Sequence, residues 1–231
     1  MTNLIYNLRN NNYCSDIEYI LKHYDDNEII YDSESGICIF NKQFDLHVVC
    51  SNSLETAKTI ASKINVCNRV ILKNDYELKA FCEKFSFDNL MECWHTLYTK
   101  NTTIISIEGL SFGDLEENSL NFILSTYSEP INKEEIVNNN QTSKFIIAKY
   151  RGEIAGYVGV HENGEIGYLY VSPKFRKKGI ATALINEMVA RFEKNGESSF
   201  CLIETHNTNS INLHKKINSI FAKKVFWLYN N

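Results

Sequence analysis

A strand, a basic turn and a long amphipathic helix follow one another between residues 165 and 194, and this succession constrains the fold more than any other feature. The stretch EIGYLYV is short and rich in β-forming residues, and Pro173 lies just beyond its end. The following helix, from about residue 179 to 194, stops at Asn195-Gly196 and has one apolar stripe, made of Ile180, Leu184, Ile185, Met188, Val189 and Phe192. Because such a stripe is buried against a neighbouring layer, the segment predicts a mixed α/β fold.

Short β-rich runs alternate with helical patterns along the first half of the chain. Two prolines and ten glycines mark no flexible linker, so the order of the elements has to indicate the organisation. This half reads as a helix at about residues 13–24, three strands, a helix behind Ser53, a strand, a helix opened by Asn74 or Asp75, and a strand. The strands are EIIYD, GICIF, LHVVC, RVILK and MECWHTLYT.

The second half begins near Thr102 with the β-rich run TTIISIEGL. Asp114 and Glu117 have a spacing that resembles a capping box ahead of an apolar helix. A polar helical segment, INKEEIVNNN, then leads to the strands KFIIAKY, IAGYVGV and EIGYLYV, of which the last two are joined by the hairpin signal Asn163-Gly164. Strand FCLIE, a helix through residues 213–217 and strand AKKVFWLY follow the long helix.

Both halves contain the order strand, strand, strand, helix, strand, helix, strand, which indicates an internal repeat. The agreement lies in the order of the elements, since the residues themselves agree poorly. We therefore predict an α/β fold with mixed sheets, divided into a smaller N-terminal domain at residues 1–101 and a C-terminal domain at residues 102–231.

The composition excludes several classes of function. A formal net charge of -4 offers no broad attraction to nucleic acid, so an anion has to be bound by a local basic site. Seven scattered cysteines without CxxC spacing indicate neither a disulfide framework nor a metal site. The N-terminus has no secretory pattern and no stretch approaches 18 apolar residues, so we expect a cytoplasmic protein without a membrane segment.

The basic turn has the chemistry of a phosphate site. A helix N-terminus exposes unsatisfied backbone N–H groups and carries a partial positive charge. Gly179 lets an anion approach the backbone, and Arg176, Lys177 and Lys178 add charge just before the helix. Taken alone, the turn is also typical of a solvated basic loop. The corresponding stretch of the first half, SNSLETA, has neither the glycine nor the basic cluster.

The segment LYVSPKFRKKGIATALI resembles the acyl-CoA-binding signature of the GNAT family of N-acyltransferases. The resemblance covers roughly residues 102–231 and implies a GNAT fold there, with the cofactor pyrophosphate held by the R-x-x-G-x-A element. It assigns cofactor binding to Arg176, Lys177, Lys178, Gly179, Ile180, Ala181 and Thr182 in the turn and first helical turn, and to Leu169, Tyr170 and Val171 in the preceding strand. The first half then resembles the degenerate GNAT-like half found in relatives of glycine N-acyltransferases.

A later family motif, commonly N-x5-LYxKLGF, is similar to the stretch that begins at Asn207, which would help to hold the cofactor. Its structural alternative is a helix N-cap. Where the family usually has a tyrosine as general acid for the CoA thiolate, this chain has His214, and Asn218-Ser219 stands where Gly-Phe is usual. Histidine can deliver a proton at neutral pH, so the resemblance gives His214 this catalytic role, with a packing histidine as the alternative.

The acceptor amine has to lose a proton before or during attack, which requires a base. The resemblance makes Glu165 the candidate, with Glu204 as a weaker substitute and a solvated hairpin carboxylate as the alternative reading of Glu165. The implied activity is direct transfer of an acyl group, most simply acetyl, from acyl-CoA to a primary amine of a small molecule, amino acid or peptide, without a metal.

An alternative function is an acyl-CoA sensor with a GNAT fold and weak catalysis, which the departures at His214 and Asn218-Ser219 favour. In either case the first half would shape the acceptor site, complete the fold or mediate association, for example as a homodimer. The sequence does not choose among these roles.

Overall fold

The computed structural model describes residues 14–98, 106–127, 136–137 and 144–231. The described chain forms two compact units. The first contains the residues up to Thr96 together with Leu202–Ile211 and Phe221–Asn231, and the second contains the described residues of Leu97–Cys201 together with Asn212–Ile220. The division of the sequence into domains at residues 101 and 102 stays a prediction.

The helices and strands follow the predicted order in both halves. Those of the first half are α1 (Ser15–His23), β1 (Asn27–Ser33), β2 (Gly36–Asn41), β3 (Leu46–Ser51), α2 (Leu54–Lys63), β4 (Arg69–Leu72), α3 (Asp75–Lys84) and β5 (Asn89–Leu97). Those of the second half are β6 (Leu110–Gly113), α4 (Glu117–Thr126), β7 (Phe145–Tyr150), β8 (Glu153–Val160), β9 (Ile166–Val171), α5 (Ile180–Lys194), β10 (Phe200–Glu204), α6 (Thr208–Lys216) and β11 (Ile220–Tyr229). The series β1-β2-β3-α2-β4-α3-β5 is thus repeated as β7-β8-β9-α5-β10-α6-β11.

The strands form two sheets, which confirms the predicted mixed α/β class. A seven-stranded sheet has the order β1-β2-β3-β4-β11-β5-β10, and a four-stranded sheet has the order β6-β7-β8-β9. β3 and β4 are parallel, whereas β11 is antiparallel to β4. The last strand of the chain therefore lies between two strands of the first half.

Alternating side chains of the seven-stranded sheet fill two separate cores. On β2, Ile37 and Ile39 pack with Ile17 and Ile20 of α1, whereas Cys38 packs with the residues of α2 and α3. The period of two in a strand places successive side chains on opposite faces, so these central strands are apolar on both sides. The first unit is consequently layered, with α1 on one face of the sheet and α2 and α3 on the other.

Two local predictions in the second half need correction. Of the described residues of TTIISIEGL, 106–110, Leu110 alone belongs to a strand, because Gly109 turns the chain with φ +79° and its carbonyl accepts from the N–H of Arg151 at 2.7 Å. α4 is capped through Glu116, whose N–H donates to Ser119 Oγ at 2.8 Å, and Asp114 instead contacts Arg191 at 3.0 Å. Residues 101–105, and most of the segment INKEEIVNNN, lie outside the described residues.

All seven cysteines lie within the described residues and remain thiols. Of the helices described, none combines the length and the apolar character needed to cross a bilayer. The described residues also contain no group of three or more histidine, cysteine or acidic side chains arranged to hold a metal ion.

Candidate active site

A β-bulge interrupts the hairpin of β8 and β9 just before the basic turn. Tyr157 pairs with Tyr170 and Gly159 pairs with Gly167, so β9 has one more residue than β8 between these two pairs. Tyr168 lies in the bulge with φ +48°, in the left-handed region that few residues other than glycine adopt. Bulges of this kind disrupt the ladder locally and are frequent beside active sites. The bulge loosens the pairing of β9 where Leu169 and Tyr170 were predicted to meet the cofactor.

The equivalent hairpin of the first half has no such interruption. β2 and β3 pair continuously from Gly36 opposite Ser51 to Asn41 opposite Leu46. Regular pairing leaves no backbone groups of these facing edges for a ligand. The two hairpins therefore differ in the bulge, which leaves backbone groups of β9 unpaired and is absent from β2 and β3.

The basic turn leaves β9 through a short 3₁₀ helix, Pro173–Phe175, in which Phe175 is buried. Lys177 has φ +62° and Gly179 has φ +82°, and Arg176, Lys177, Lys178 and Gly179 are all exposed. Left-handed residues that alternate with right-handed or extended ones turn successive N–H groups toward one side, which favours anion binding. The turn therefore presents both positive side chains and backbone donors to solvent.

Gly179 is the N-cap of α5, a helix of 15 residues. Since glycine has no side chain, it cannot satisfy the N–H groups of the first turn, which begins with the buried Ile180 and the half-buried Ala181 and Thr182. The N-terminus of the equivalent helix α2 is capped, because Ser53 Oγ accepts from the N–H of Thr56 at 3.2 Å. Only the second of these two helix starts is left open for an external anion.

The basic side chains of the turn have different surroundings. Lys174 forms an ion pair with Glu153, whereas Arg176 Nε donates to the carbonyl of Val171 at 3.0 Å and so ties the turn to the end of β9. The ammonium of Lys178 lies 5.7 Å from the centre of the Tyr150 ring, a cation–π distance. Arg176 and Lys178 thus belong to the segment that leads directly into the helix N-terminus.

Glu165 is the last residue of the β8–β9 turn and is only 7% exposed. Its carboxylate accepts from Asn163 Nδ2 at 3.2 Å and lies 3.7 Å from His161 Nε2. Its backbone carbonyl accepts from the N–H of His161 at 2.9 Å, which closes the turn. The alternative of a solvated hairpin carboxylate is therefore wrong, because Glu165 is held inside the second unit.

His214 is 4% exposed and lies in the part of α6 that belongs to the second unit. Its Nε2 lies 2.8 Å from the hydroxyl oxygen of Tyr98, and the two rings are 5.7 Å apart. Burial is the largest cause that raises the pKa of Tyr98 well above its ordinary value, followed by the neighbouring Cys201 thiol and the Glu165 carboxylate. Sequence reasoning did not find Tyr98, because nothing at the end of β5 distinguishes it from other strand tyrosines.

Asn207 caps α6, since its Oδ1 accepts from the N–H of Ser210 at 3.1 Å. It belongs to the first unit, as does Glu204, whose carboxylate lies 2.9 Å from His206 Nε2. The capping role foreseen for Asn207 is therefore present, and its role in holding the cofactor stays a prediction.

The second unit thus contains most of the predicted site residues. Glu165, His214, the basic turn and the half-buried residues 169–171 of β9 all belong to it. A strand opened by a bulge, followed by an uncapped helix N-terminus with exposed basic residues, is suited to a ligand with an extended polar arm and a pyrophosphate.

Comparison with known proteins agrees with this geometry. Residues 111–218 match the model of the acetyltransferase (GNAT) family. Among solved structures, a Drosophila protein has a TM-score of 0.66 at 12% identity and covers 84% of this chain and 74% of its own. A GCN5-related N-acetyltransferase from Kribbella flavida has a TM-score of 0.62 at 7% identity and covers 94% of this chain and 93% of its own.

A GCN5-related N-acetyltransferase-like protein from Streptococcus suis, with a TM-score of 0.56 at 13% identity, covers 98% of this chain and 97% of its own. Identities this low indicate a shared fold, and the shared fold extends over both halves of the chain. Residues 111–218 are therefore similar to the acetyltransferase (GNAT) family, within a chain whose fold is similar to that of GCN5-related N-acetyltransferases.

Proposed function

We propose that this protein is an N-acyltransferase that moves an acyl group, most simply acetyl, from acyl-CoA to a primary amine of a small molecule, amino acid or peptide. The observation that carries the proposal is the open N-terminus of α5 behind the bulged β9. Gly179 leaves the first helical N–H groups uncapped, and Arg176 and Lys178 lie beside them. This arrangement suits the pyrophosphate of CoA and fits the family match.

The chain's own residues then divide the remaining tasks. Acyl transfer needs a base for the amine and an acid for the departing thiolate. Glu165 is the proposed base and His214 the proposed acid, and both belong to the unit that contains the basic turn. Residues 169–171 of β9 would hold the pantetheine arm through backbone groups, and Asn207 would assist from α6.

The first half has a continuous β2–β3 hairpin and a serine-capped α2, which are the opposite of the features proposed to bind CoA. We therefore infer that it is a degenerate GNAT-like half, related in organisation to that of glycine N-acyltransferases. It would shape the acceptor site or the assembly rather than bind CoA. Seven cysteines that remain thiols are consistent with a cytoplasmic location.

Calorimetry with CoA tests the binding site directly. One charge-assisted phosphate contact contributes about 1.5–3 kcal/mol. We therefore expect Arg176→Ala to weaken CoA binding by about tenfold or more. Lys174→Ala is the matched control, since it removes the same charge from the same turn but its side chain is paired with Glu153. Equal affinities for wild type and Arg176→Ala, or equal losses in both variants, would reject the assignment.

An acyl-CoA sensor remains the second candidate, because His214 is buried and its Nε2 already contacts Tyr98. A thiol-release assay over amines, amino acids and peptides separates the two functions. Turnover with any acceptor, reduced by His214→Ala and Glu165→Gln without a change in CoA affinity, supports the enzyme. Binding of acetyl-CoA without turnover across a broad panel supports the sensor.

A further inference from the structure

The imidazole of His161 contacts three residues of β9 and of the turn before it, all within the second unit. Its ring stacks on Tyr168 in the bulge, with the ring centres 3.8 Å apart and the planes at 28°. Its Cδ2 and Nε2 occupy the space of a side chain at Gly167, because a Cβ built there would lie 2.3 Å from each atom. Nε2 also lies 3.7 Å from Oε1 of Glu165. The absence of a side chain at Gly167 therefore allows the ring to lie between the bulge and the carboxylate.

The carboxylate of Glu165 faces its own turn. Oε2 accepts from Asn163 Nδ2 at 3.2 Å, and Oε1 faces the imidazole. The Glu165 side chain is 10% exposed, whereas that of His161 is 19% exposed. A fixed anion beside an imidazole stabilises the imidazolium that forms when the ring takes a proton. Of the two side chains, the imidazole is thus the better placed to exchange a proton with a substrate and with solvent.

The orientation of the ring gives its two nitrogens different roles. Nε2 faces the carboxylate, so the N–H of the neutral ring is favoured there and the basic lone pair is at Nδ1. Nδ1 is the ring atom opposite the bond between Cδ2 and Nε2, so it lies on the side away from Gly167. Tyr168, on which the ring stacks, directly precedes residues 169–171, which are proposed to hold the pantetheine arm. The basic nitrogen therefore belongs to a ring beside the proposed acyl-CoA-binding part of β9.

The proposed reaction has to release a proton. A primary amine is mainly an ammonium at neutral pH, so its nitrogen loses two protons as it becomes an amide. The CoA sulfur gains one proton, so one proton leaves for solvent in each turnover. The group that takes the first proton from the ammonium accordingly needs both basicity and a route to water.

We propose that His161 accepts the ammonium proton of the acyl acceptor at Nδ1, with Glu165 as the fixed anion that stabilises the resulting imidazolium. The N–H bond of the ammonium breaks with its electron pair left on nitrogen, which becomes the nucleophile, and the proton forms a bond to Nδ1. The proton then leaves Nδ1 for solvent, so the ring returns to its starting tautomer. This inference rests on the proposed function, and it assigns the base role to a pair in which Glu165 is the positioning residue.

Acceptors that differ in protonation test the proposal in a thiol-release assay at pH 7. Glycine, L-lysine and spermidine have protonated amino groups there and need a base, whereas hydroxylamine is mainly neutral. His161→Gln should lower kcat/KM for the ammonium acceptors about a hundredfold and change transfer to hydroxylamine little, with CoA affinity unchanged in calorimetry. Gly167→Ala should give the same selective loss with His161 still present, because its Cβ displaces the ring.

His23→Gln is the matched control, since it removes another histidine stacked on a tyrosine, 4.2 Å from the Tyr19 ring in the first unit, and all rates should stay at wild-type values. Equal losses of His161→Gln with ammonium acceptors and hydroxylamine would show a role in packing alone and overturn the proposal. Slow transfer in Glu165→Gln with normal transfer in His161→Gln would return the base role to Glu165 alone and leave the proposed function intact. Acetyl-CoA binding without turnover on any acceptor would instead reject the proposed function together with this inference.

Discussion

Gly179 allows a close test of how the fold keeps the start of α5 open. Its φ of +82° lies in the left-handed region, where residues with a side chain pay roughly 1–2 kcal/mol. Among the described residues, a Cβ built at this position has one neighbour within 4 Å, Ile107 Cδ1 at 3.4 Å, which is an ordinary van der Waals contact. The cost of Gly179→Ala is therefore conformational, and we expect the free energy of unfolding to fall by about 1 kcal/mol.

Gly179→Asn gives a matched comparison. Asparagine tolerates the left-handed region better than alanine, and as an N-cap its side chain satisfies N–H groups of the first helical turn. We expect it to be more stable than Gly179→Ala and equal to the wild type within a few tenths of a kcal/mol. The asparagine side chain would occupy the N–H groups that are proposed to bind the phosphate, just as the Ser53 side chain occupies the N–H of Thr56 at the start of α2.

Urea denaturation and calorimetry with CoA measure the two effects separately. We expect both variants to weaken CoA binding, and Gly179→Asn to weaken it at least tenfold although it is the more stable of the two. Wild-type affinity in Gly179→Asn would refute the reasoning that the open helix start binds the pyrophosphate. A stability of Gly179→Ala equal to that of the wild type would refute the left-handed conformation on which the calculation depends.

Two further predictions concern buried ionisable side chains of the first unit. Lys73 and Asp16 form an ion pair with both side chains fully buried, so we expect Lys73→Met alone to cost about 3–5 kcal/mol in urea denaturation, and the Asp16→Leu/Lys73→Met double variant to cost clearly less. Equal costs would contradict the pairing. Burial, followed by the charges of Lys73 and Lys223, lowers the pKa of the fully buried His95 to about 3 from 6.5. The unfolded chain then binds the proton first as the pH falls below 6.5, so between pH 7.5 and pH 5 this group should reduce stability by about 2 kcal/mol, and His95→Gln should lack that part of the slope.

Local patterns predicted the elements well where one element supplies its own signal. The apolar stripe predicted α5 at about residues 179–194, and the helix is Ile180–Lys194. The hairpin signal Asn163-Gly164 lies in the turn that joins β8 and β9, with Gly164 at φ +88°. These predictions succeeded because helical periodicity and turn conformation depend on neighbouring residues.

The local predictions that failed depend on partners elsewhere in the chain. Asp114 has suitable spacing for a cap, but its carboxylate contacts Arg191, 77 positions away, and Glu116 takes the N-cap position. Glu165 looks exposed in the sequence because it follows Asn163-Gly164, yet the folded second unit buries it. A single residue type at a given spacing permits both outcomes, and long-range packing selects one of them.

The candidate site likewise depends partly on local sequence signals and partly on long-range packing. The basic turn, Gly179 and the start of α5 are contiguous, so the sequence alone predicted a phosphate-binding loop and the half of the chain that contains it. The tertiary structure decided the bulge in β9, the insertion of β11 between β4 and β5, and the meeting of Tyr98 with His214. These features arise from pairing and packing between segments far apart in the chain, where no local period or turn signal records which residues will become neighbours.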